Sequence, residues 1–309
     1  MLSLVIPVFK NERSIPDLVE AVGELARCLP GGFEAIFVDD GGPDRSRQLL
    51  ANLLPSAGFR ARLVMLSRNF GSFAAIRAGL AEGSGDYFAV MSADLQEPTT
   101  IVTEFLRLLE GQMHDVVVGT REQRVDPLLS RVASSLFWRI YRLAVQRDVP
   151  AGGVDVFGCT RAFRDEVLAL SERNSTLVGL IFWLGCRRAE IKYSRLPRRH
   201  GVSAWSFWRK VRYLLDSTFA FSDLPIRLLS LAGISGMGVS LLLAAVVLAA
   251  RIRGNVQVPG YTATVLVVMF FGGLNSFGIG VLGEYLWRTF ENTKRRPDYV
   301  VLKTENYGA

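Results

Sequence analysis

Short apolar runs alternate with segments of helical period through roughly the first 120 residues, and two long uncharged stretches follow towards the C-terminus. Leu2–Val8, Ala35–Val38, Arg62–Leu66, Tyr87–Met91 and Asp115–Val118 read as strands, largely apolar. Asn11–Leu29, Asp44–Leu54, Gly71–Ala81 and Thr99–Glu110 read as the helices between them. Continuously apolar strands separated by helices imply a mostly parallel sheet covered on both faces, a Rossmann-like α/β domain. Ligands bind such sheets beyond the carboxyl ends of the strands. Pro7, Asp39-Asp40, Arg68-Asn69, Asp94 and Arg121 each fall just past a strand, so they are expected along one rim.

The uncharged stretches are Leu228–Ala250 and Gly254–Gly283, and each exceeds the roughly 20 apolar residues needed to cross a bilayer. Arg209, Lys210, Arg212 and Arg227 precede the first, and Arg288, Lys294, Arg295 and Arg296 follow the second; the hairpin between carries only Arg251 and Arg253. Positive residues stay cytoplasmic, which places the domain and both termini inside and a short loop at 254–260 outside. Ser206–Phe221 alternates aromatic and basic residues at helical spacing, as a helix lying in the membrane interface would; an amphipathic helix packed on the domain is the alternative. The expected layout is a domain at 1–205, an interfacial helix at 206–225, two spans at about 228–250 and 260–283, and a cytoplasmic tail at 284–309. Small residues recur every four positions in both spans (Ala232, Gly236, Ser240, Ala244; Gly272, Ser276, Gly280), a pattern that permits close helix contact within or between chains. The opening SLVIPVF is short and has no basic stretch before it, so no cleavable signal is expected.

Composition narrows the partners. The 309-residue chain carries a net charge of +7. Its basic residues crowd between Arg187 and Arg212, beside the first span, which favours anionic headgroups or a phosphorylated lipid over nucleic acid. Three scattered cysteines without a CxxC fit a reducing compartment and no zinc site. Two histidines make a His-rich metal centre or a Ser-His-Asp hydrolase a poor fit.

Asp94-Leu95-Gln96 is the candidate metal site. A carboxylate and an amide oxygen suit Mg²⁺ or Mn²⁺, which are held by one or two protein groups plus a substrate's phosphates. The plainer alternative is that Asp94 caps the helix beginning near Pro98. Asp39-Asp40-Gly41 ends a buried strand, where carboxylates can accept hydrogen bonds from a base or ribose. Pro7-Val8-Phe9-Lys10-Asn11-Glu12 stands where a dehydrogenase or P-loop enzyme carries a Gly-rich loop. A GxGxxG match at Gly278, Gly280 and Gly283 lies inside the second span and reads as helix packing.

VIPVFKNE (Val5–Glu12), FVDDGGPD (Phe37–Asp44), LSRNFGSFAAIRAGL (Leu66–Leu80) and SADLQEP (Ser92–Pro98) resemble, in order, the motifs of family 2 glycosyltransferases with the GT-A fold. GGVDVFGCTRAF (Gly152–Phe163), RRHGVSAWSFW (Arg198–Trp208), FSDLPIRLLSLAG (Phe221–Gly233) and LGEYLWRTFENTKRRPDYVV (Leu282–Val301) resemble the branch that transfers sugars to polyprenyl phosphates, as dolichol-phosphate mannosyltransferase and bactoprenol glucosyltransferases do. The resemblance implies inverting transfer from a nucleotide-diphosphate sugar to a polyprenyl phosphate, undecaprenyl phosphate in a bacterium. Under it Pro7, Phe9, Glu12, Asp39, Asp40, Asn69 and Ala93 hold the nucleotide, and Asp94 and Gln96 bind the metal. Arg121, Arg131, Arg199 and Ser203 face the acceptor phosphate; Asp155 matches an acidic acceptor-side position and, with Asp94 and Arg121, belongs to the catalytic set. It also implies a membrane-embedded homo-oligomer, with a tetramer as one form.

The chain departs from the family pattern at Ser92, where many relatives carry the first Asp of DxD, at Gly42 in place of Ser, at Ser72, and at Val202 and Ala204 in the GxSxW loop. Within the family, a processive polysaccharide synthase needs more spans and a QxxRW motif. A catalytically weakened membrane scaffold is the other rival, suggested by Ser92 and opposed by Asp39, Asp94, Gln96 and Arg121.

Overall fold

The computed structural model describes residues 1–29, 31–121, 139, 141–142, 148–150, 153–154, 156–170, 172, 175–197, 207–253 and 260–308. Its strands are β1 (Leu2–Val8), β2 (Phe33–Asp39), β3 (Arg60–Leu66), β4 (Tyr87–Val90), β5 (Val116–Arg121), β6 (Val156–Thr160), β7 (Arg188–Tyr193) and β8 (Val301–Tyr307). The helices of the domain are α1 (Ile15–Arg27), α2 (Ser46–Leu53), α3 (Ser72–Glu82), α4 (Thr100–Glu110), α5 (Arg161–Ala169) and α6 (Leu177–Trp183). Three more follow: α7 (Phe207–Phe221), α8 (Leu224–Ile252) and α9 (Tyr261–Thr293).

The strands form one sheet in the order β7-β5-β6-β4-β1-β2-β3-β8. β3, β2, β1 and β4 are mutually parallel, while β6 runs antiparallel between β4 and β5. The first five strands therefore point the same way, and their carboxyl ends share one edge, as expected for Pro7, Asp39, Asp94 and Arg121. Two apolar layers enclose the sheet. Leu4, Ile6 and Phe37 face α1, α2 and α4 through Leu18, Val22, Leu50 and Phe105. Val5, Val38 and Val64 face α3, α5 and α6 through Ala75, Ala78, Phe163 and Ile181.

Some boundaries differ from the sequence expectation. The first helix begins at Ile15 rather than Asn11, because the Asn11 side chain accepts the Phe9 N–H at 3.0 Å and its carbonyl accepts the Ser14 N–H at 2.8 Å, a turn that precedes the helix. The second apolar helix runs on to Thr293, ten residues past Gly283, where Arg288 pairs with Glu284 one turn earlier at 2.8 Å, so its charge is met within the helix.

The tail expected at 284–309 contains β8, which pairs antiparallel with β3 along Ala61–Leu66. Its side chains are half-buried or exposed and its middle, Lys303 to Asn306, is polar, so no apolar strand pattern marks it in the sequence.

α8 and α9 present Leu231, Ile234, Leu241, Val268, Phe270 and Phe277 outward, all more than half exposed. Both contain segments long and apolar enough to cross a membrane, Leu224–Leu243 and Val267–Thr293. Exposed apolar surfaces of this extent mark sites of contact with a membrane or another protein surface. A Cβ at Gly236 would stand 2.9 Å from the Phe271 ring, so part of the small-residue stripe serves contact within the chain. α7 packs one side on the domain through Tyr213, stacked on Phe73 at 6.5 Å, and through the buried Ser217. Arg288 of α9 bonds Asp216 of α7 at 2.8 Å, which ties the end of the long helix to that packed helix.

Candidate functional site

The edge where β1 to β5 end is built from four loops. After β1, Pro7 is half-buried and in register with Val38, and Phe9 is exposed with the Lys10 ammonium 5.4 Å from its ring centre. The Glu12 carboxylate accepts the Arg45 N–H at 3.1 Å, and its own N–H reaches Asp44 at 3.1 Å, which binds this loop to the loop after β2.

Asp39 and Asp40 are both buried at the end of β2. Asp39 pairs with the Arg47 guanidinium at 2.7 Å. Asp40 accepts the N–H groups of Phe70 at 2.7 Å and Gly71 at 2.9 Å, one on each carboxylate oxygen, and so fixes the start of α3. Burial pushes its carboxyl above the ordinary value against the pull of those two N–H groups, and the Asp39 charge adds to the rise. Gly41 has φ of 61°, and a Cβ there would lie 2.5 Å from the Arg68 carbonyl carbon, so only glycine allows the two loops to touch. Asn69 lines a cleft with Arg68, Phe73, Arg77, Glu172 and Asp298.

The loop after β4 carries the candidate metal residues. Ala93 is buried, Asp94 is half-buried, and Leu95 adopts φ of 51°, an uncommon conformation for a branched residue. The N-cap of α4 is Thr99, so Asp94 is not the cap of that helix. Gln96 and Glu97 are buried, and the Ser92 hydroxyl donates to Glu97. Thus Ser92, the departure from DxD, is joined to a carboxylate five residues on, which sequence reasoning did not single out.

Gln96 bonds Arg195 and Leu196, from the segment just after β7; neither contact was anticipated. Arg121 ends β5 opposite Tyr193 of β7, and its neighbour Thr120 bonds Glu190 at 2.5 Å. Asp155, Arg131, Arg199 and Ser203 lie outside the described residues.

Among the described residues no three His, Cys, Asp or Glu side chains converge to hold an ion. A site completed by substrate phosphates needs fewer: Mg²⁺ and Mn²⁺ keep several positions for water and phosphate. Asp94 and Gln96 supply hard oxygens from one loop and fit such an ion, on the condition that Arg195 leaves the Gln96 oxygen.

A three-layer α/β domain with a polar rim and two appended apolar helices defines the class, and comparison with known proteins defines the family. Residues 3–170 match the model of glycosyl transferase family 2, and the chain belongs to that family. It is 35% identical over 311 residues to the undecaprenyl-phosphate 4-deoxy-4-formamido-L-arabinose transferase of Pseudomonas paraeruginosa, covering 97% of this chain and 89% of that protein. It is 28% identical to the SfII prophage-derived bactoprenol glucosyl transferase of Shigella flexneri, with 98% of both chains covered. It is 30% identical to the putative glycosyltransferase CsbB of Bacillus subtilis, covering 97% of this chain and 91% of that one. Among solved structures, S. aureus TarS in complex with UDP-GlcNAc aligns at a TM-score of 0.48 and 16% identity, over 72% of this chain and 67% of that one.

Proposed function

We propose that this enzyme transfers a sugar from a nucleotide-diphosphate sugar, UDP-linked, to a polyprenyl phosphate at the cytoplasmic face of the membrane, undecaprenyl phosphate in a bacterium. The observation that carries the reading is the union, in one chain, of a family 2 sheet with two exposed apolar helices. The near full-length likeness to transferases named for undecaprenyl phosphate and bactoprenol supports the acceptor.

The acceptor explains the anchor. A polyprenyl chain leaves the bilayer at a cost of roughly 0.8 kcal/mol per CH₂, so the enzyme goes to the lipid. In the reaction an acceptor phosphate oxygen forms the bond to the anomeric carbon as the bond to the diphosphate breaks on the opposite face. Inversion results, and the nucleoside diphosphate leaves with the electron pair. The second pKa of a phosphomonoester is about 6, so the nucleophile is already ionised and a strong general base is unnecessary.

Pro7, Phe9, Glu12, Asp39, Asp40, Asn69 and Ala93 form the nucleotide side of the site, with Asp40 acting through the loop it holds. Asp94 and Gln96 would hold Mg²⁺ or Mn²⁺, whose chemistry there is neutralisation of the diphosphate charge. Arg121, Arg131, Arg199 and Ser203 draw the acceptor phosphate towards the rim, and Asp155 orients the acceptor or the sugar hydroxyls. The homo-oligomer implied by the family resemblance belongs to the same proposal.

The test is a panel of UDP- and GDP-sugars offered with a short-chain polyprenyl phosphate and Mg²⁺ or Mn²⁺, read by mass spectrometry of the lipid. One donor is expected to add a single sugar mass to the lipid phosphate. Nucleotide release without a glycosylated lipid from every donor would overturn the acceptor assignment.

A further inference from the structure

The side-chain oxygen of Gln96, one of the two residues assigned to the divalent ion, accepts a hydrogen bond from the Arg195 guanidinium. Backbone contacts reinforce the pairing: the Leu196 N–H donates to the Gln96 carbonyl at 2.8 Å, and the Gln96 side-chain amide donates to the Leu196 carbonyl at 3.3 Å. Residues 195–196, two steps beyond the end of β7, are therefore fastened to the loop after β4. Arg195 Nε is buried, and among the described residues nothing accepts its hydrogen. A buried guanidinium N–H that forgoes its bond is costly, and its complement is an anion.

Resting on the donor-site reading above, we propose that Arg195 is a latch on the divalent-ion site. It holds the Gln96 oxygen until a nucleoside diphosphate arrives, then transfers its guanidinium to the diphosphate and leaves that oxygen to the ion. The Gln96 oxygen has two lone pairs, but a guanidinium and a divalent ion drawn to one oxygen repel each other as like charges, so each weakens the other's hold on Gln96. An ion alone has to break a charge-assisted bond and leave Arg195 without an acceptor. A diphosphate supplies oxygens that bind a guanidinium more strongly than a neutral amide does, so the exchange becomes favourable once the donor is present. Ion and donor thus load as one event. The same event loosens residues 195–196, four and three positions before Arg199 in the sequence, the residue assigned above to the acceptor.

Arg195 is a positioning residue in this account, and its test is a binding measurement on the full chain in detergent. Free Mn²⁺ is followed by its paramagnetic resonance signal, alone and with UDP or GDP, for wild type, Arg195→Ala and Arg195→Gln; the glutamine variant keeps a polar stem should alanine disturb folding. Wild type is expected to bind Mn²⁺ weakly alone and at least about tenfold more tightly with a nucleotide. Both variants are expected to bind Mn²⁺ alone about tenfold more tightly than wild type, the order of one charge-assisted competitor removed, with a smaller gain from nucleotide. Unchanged Mn²⁺ affinity in both variants, with binding still abolished by Asp94→Asn, sinks the latch and leaves the donor site standing. Binding that survives Asp94→Asn places the ion elsewhere and overturns the donor-site reading together with the latch.

Discussion

Arg47, in the first turn of α2, closes its guanidinium on Asp39 at the end of β2 with a 2.7 Å contact. The carboxylate is almost wholly buried, whereas Arg47 is 38% exposed, so solvent screens part of the pair. Arg47→Ala leaves a buried carboxylate with one distant N–H, that of Gly42 at 3.4 Å. After discounting for the exposed guanidinium, a loss of about 1–2 kcal/mol is expected. A lowered thermal unfolding midpoint for Arg47→Ala, relieved when Asp39→Asn is added, is the outcome to look for. Equal midpoints in wild type and Arg47→Ala would count the pair as structurally idle.

Asp94→Asn keeps the shape of the loop and removes the charge offered to the ion. Loss of an electrostatic partner that acts on developing diphosphate charge lowers kcat by at least about a hundredfold, near 2.7 kcal/mol. Turnover in excess EDTA should fall alongside it and return with Mg²⁺ or Mn²⁺. Full activity of Asp94→Asn, or of wild type in EDTA, removes the ion from the mechanism.

The parallel half of the sheet was legible because β1 and β2 are buried almost throughout and β3 is buried from Leu63 onward, so each reads as a largely apolar run despite Ser3, Glu34 and Arg62. β6 and β8 were not. β6 is only five residues long, and β8 takes its place chiefly through backbone pairing with β3, with a polar middle and no residue fully buried. The strand-end rule located Asp39, Asp40 and Asp94 on the rim. It could not show that Asp40 spends both oxygens on Phe70 and Gly71, since that depends on two loops meeting across thirty residues of chain. The Ser92–Glu97 and Gln96–Arg195 contacts have no sequence signal, because side-chain reach across a turn or between distant strands follows from the fold alone.

Acid stability should depend on Glu34. Its carboxylate is buried, and burial opposes ionisation. Hydrogen bonds from Ser3, the Ser84 N–H and the Ser84 hydroxyl, with the charge of Arg62, outweigh that effect and hold the carboxyl below its ordinary value of 4.5. The folded state therefore binds the proton less readily than the unfolded chain. The stabilisation is complete above the unfolded value near 4.5 and is lost as pH falls through the lower folded value. Glu34→Gln should lower the unfolding midpoint at neutral pH and flatten its decline between about pH 5 and 3. A variant whose midpoint falls with pH as steeply as wild type would clear Glu34 of that role.

β8 joins the sheet on the far side of the two apolar helices from the rest of the domain in the chain, so α8 and α9 leave and return on one side. With basic residues Arg209, Lys210, Arg212 and Arg227 before or at the start of α8 and Arg288, Lys294, Arg295 and Arg296 at or beyond the end of α9, that side is expected to be the cytoplasm. A cysteine placed at Gln257 should react with a membrane-impermeant reagent in intact cells, while one at Leu302, exposed on β8, should react only after lysis. Ending the chain after Arg296 should strip the β3 edge of its partner, break the Arg77 to Asp298 contact at 3.4 Å and lower the unfolding midpoint, because an uncovered strand edge invites aggregation. Labelling of Leu302→Cys in intact cells would reverse the assigned orientation, and an unchanged midpoint in the shortened chain would show that β8 adds nothing to the sheet it completes.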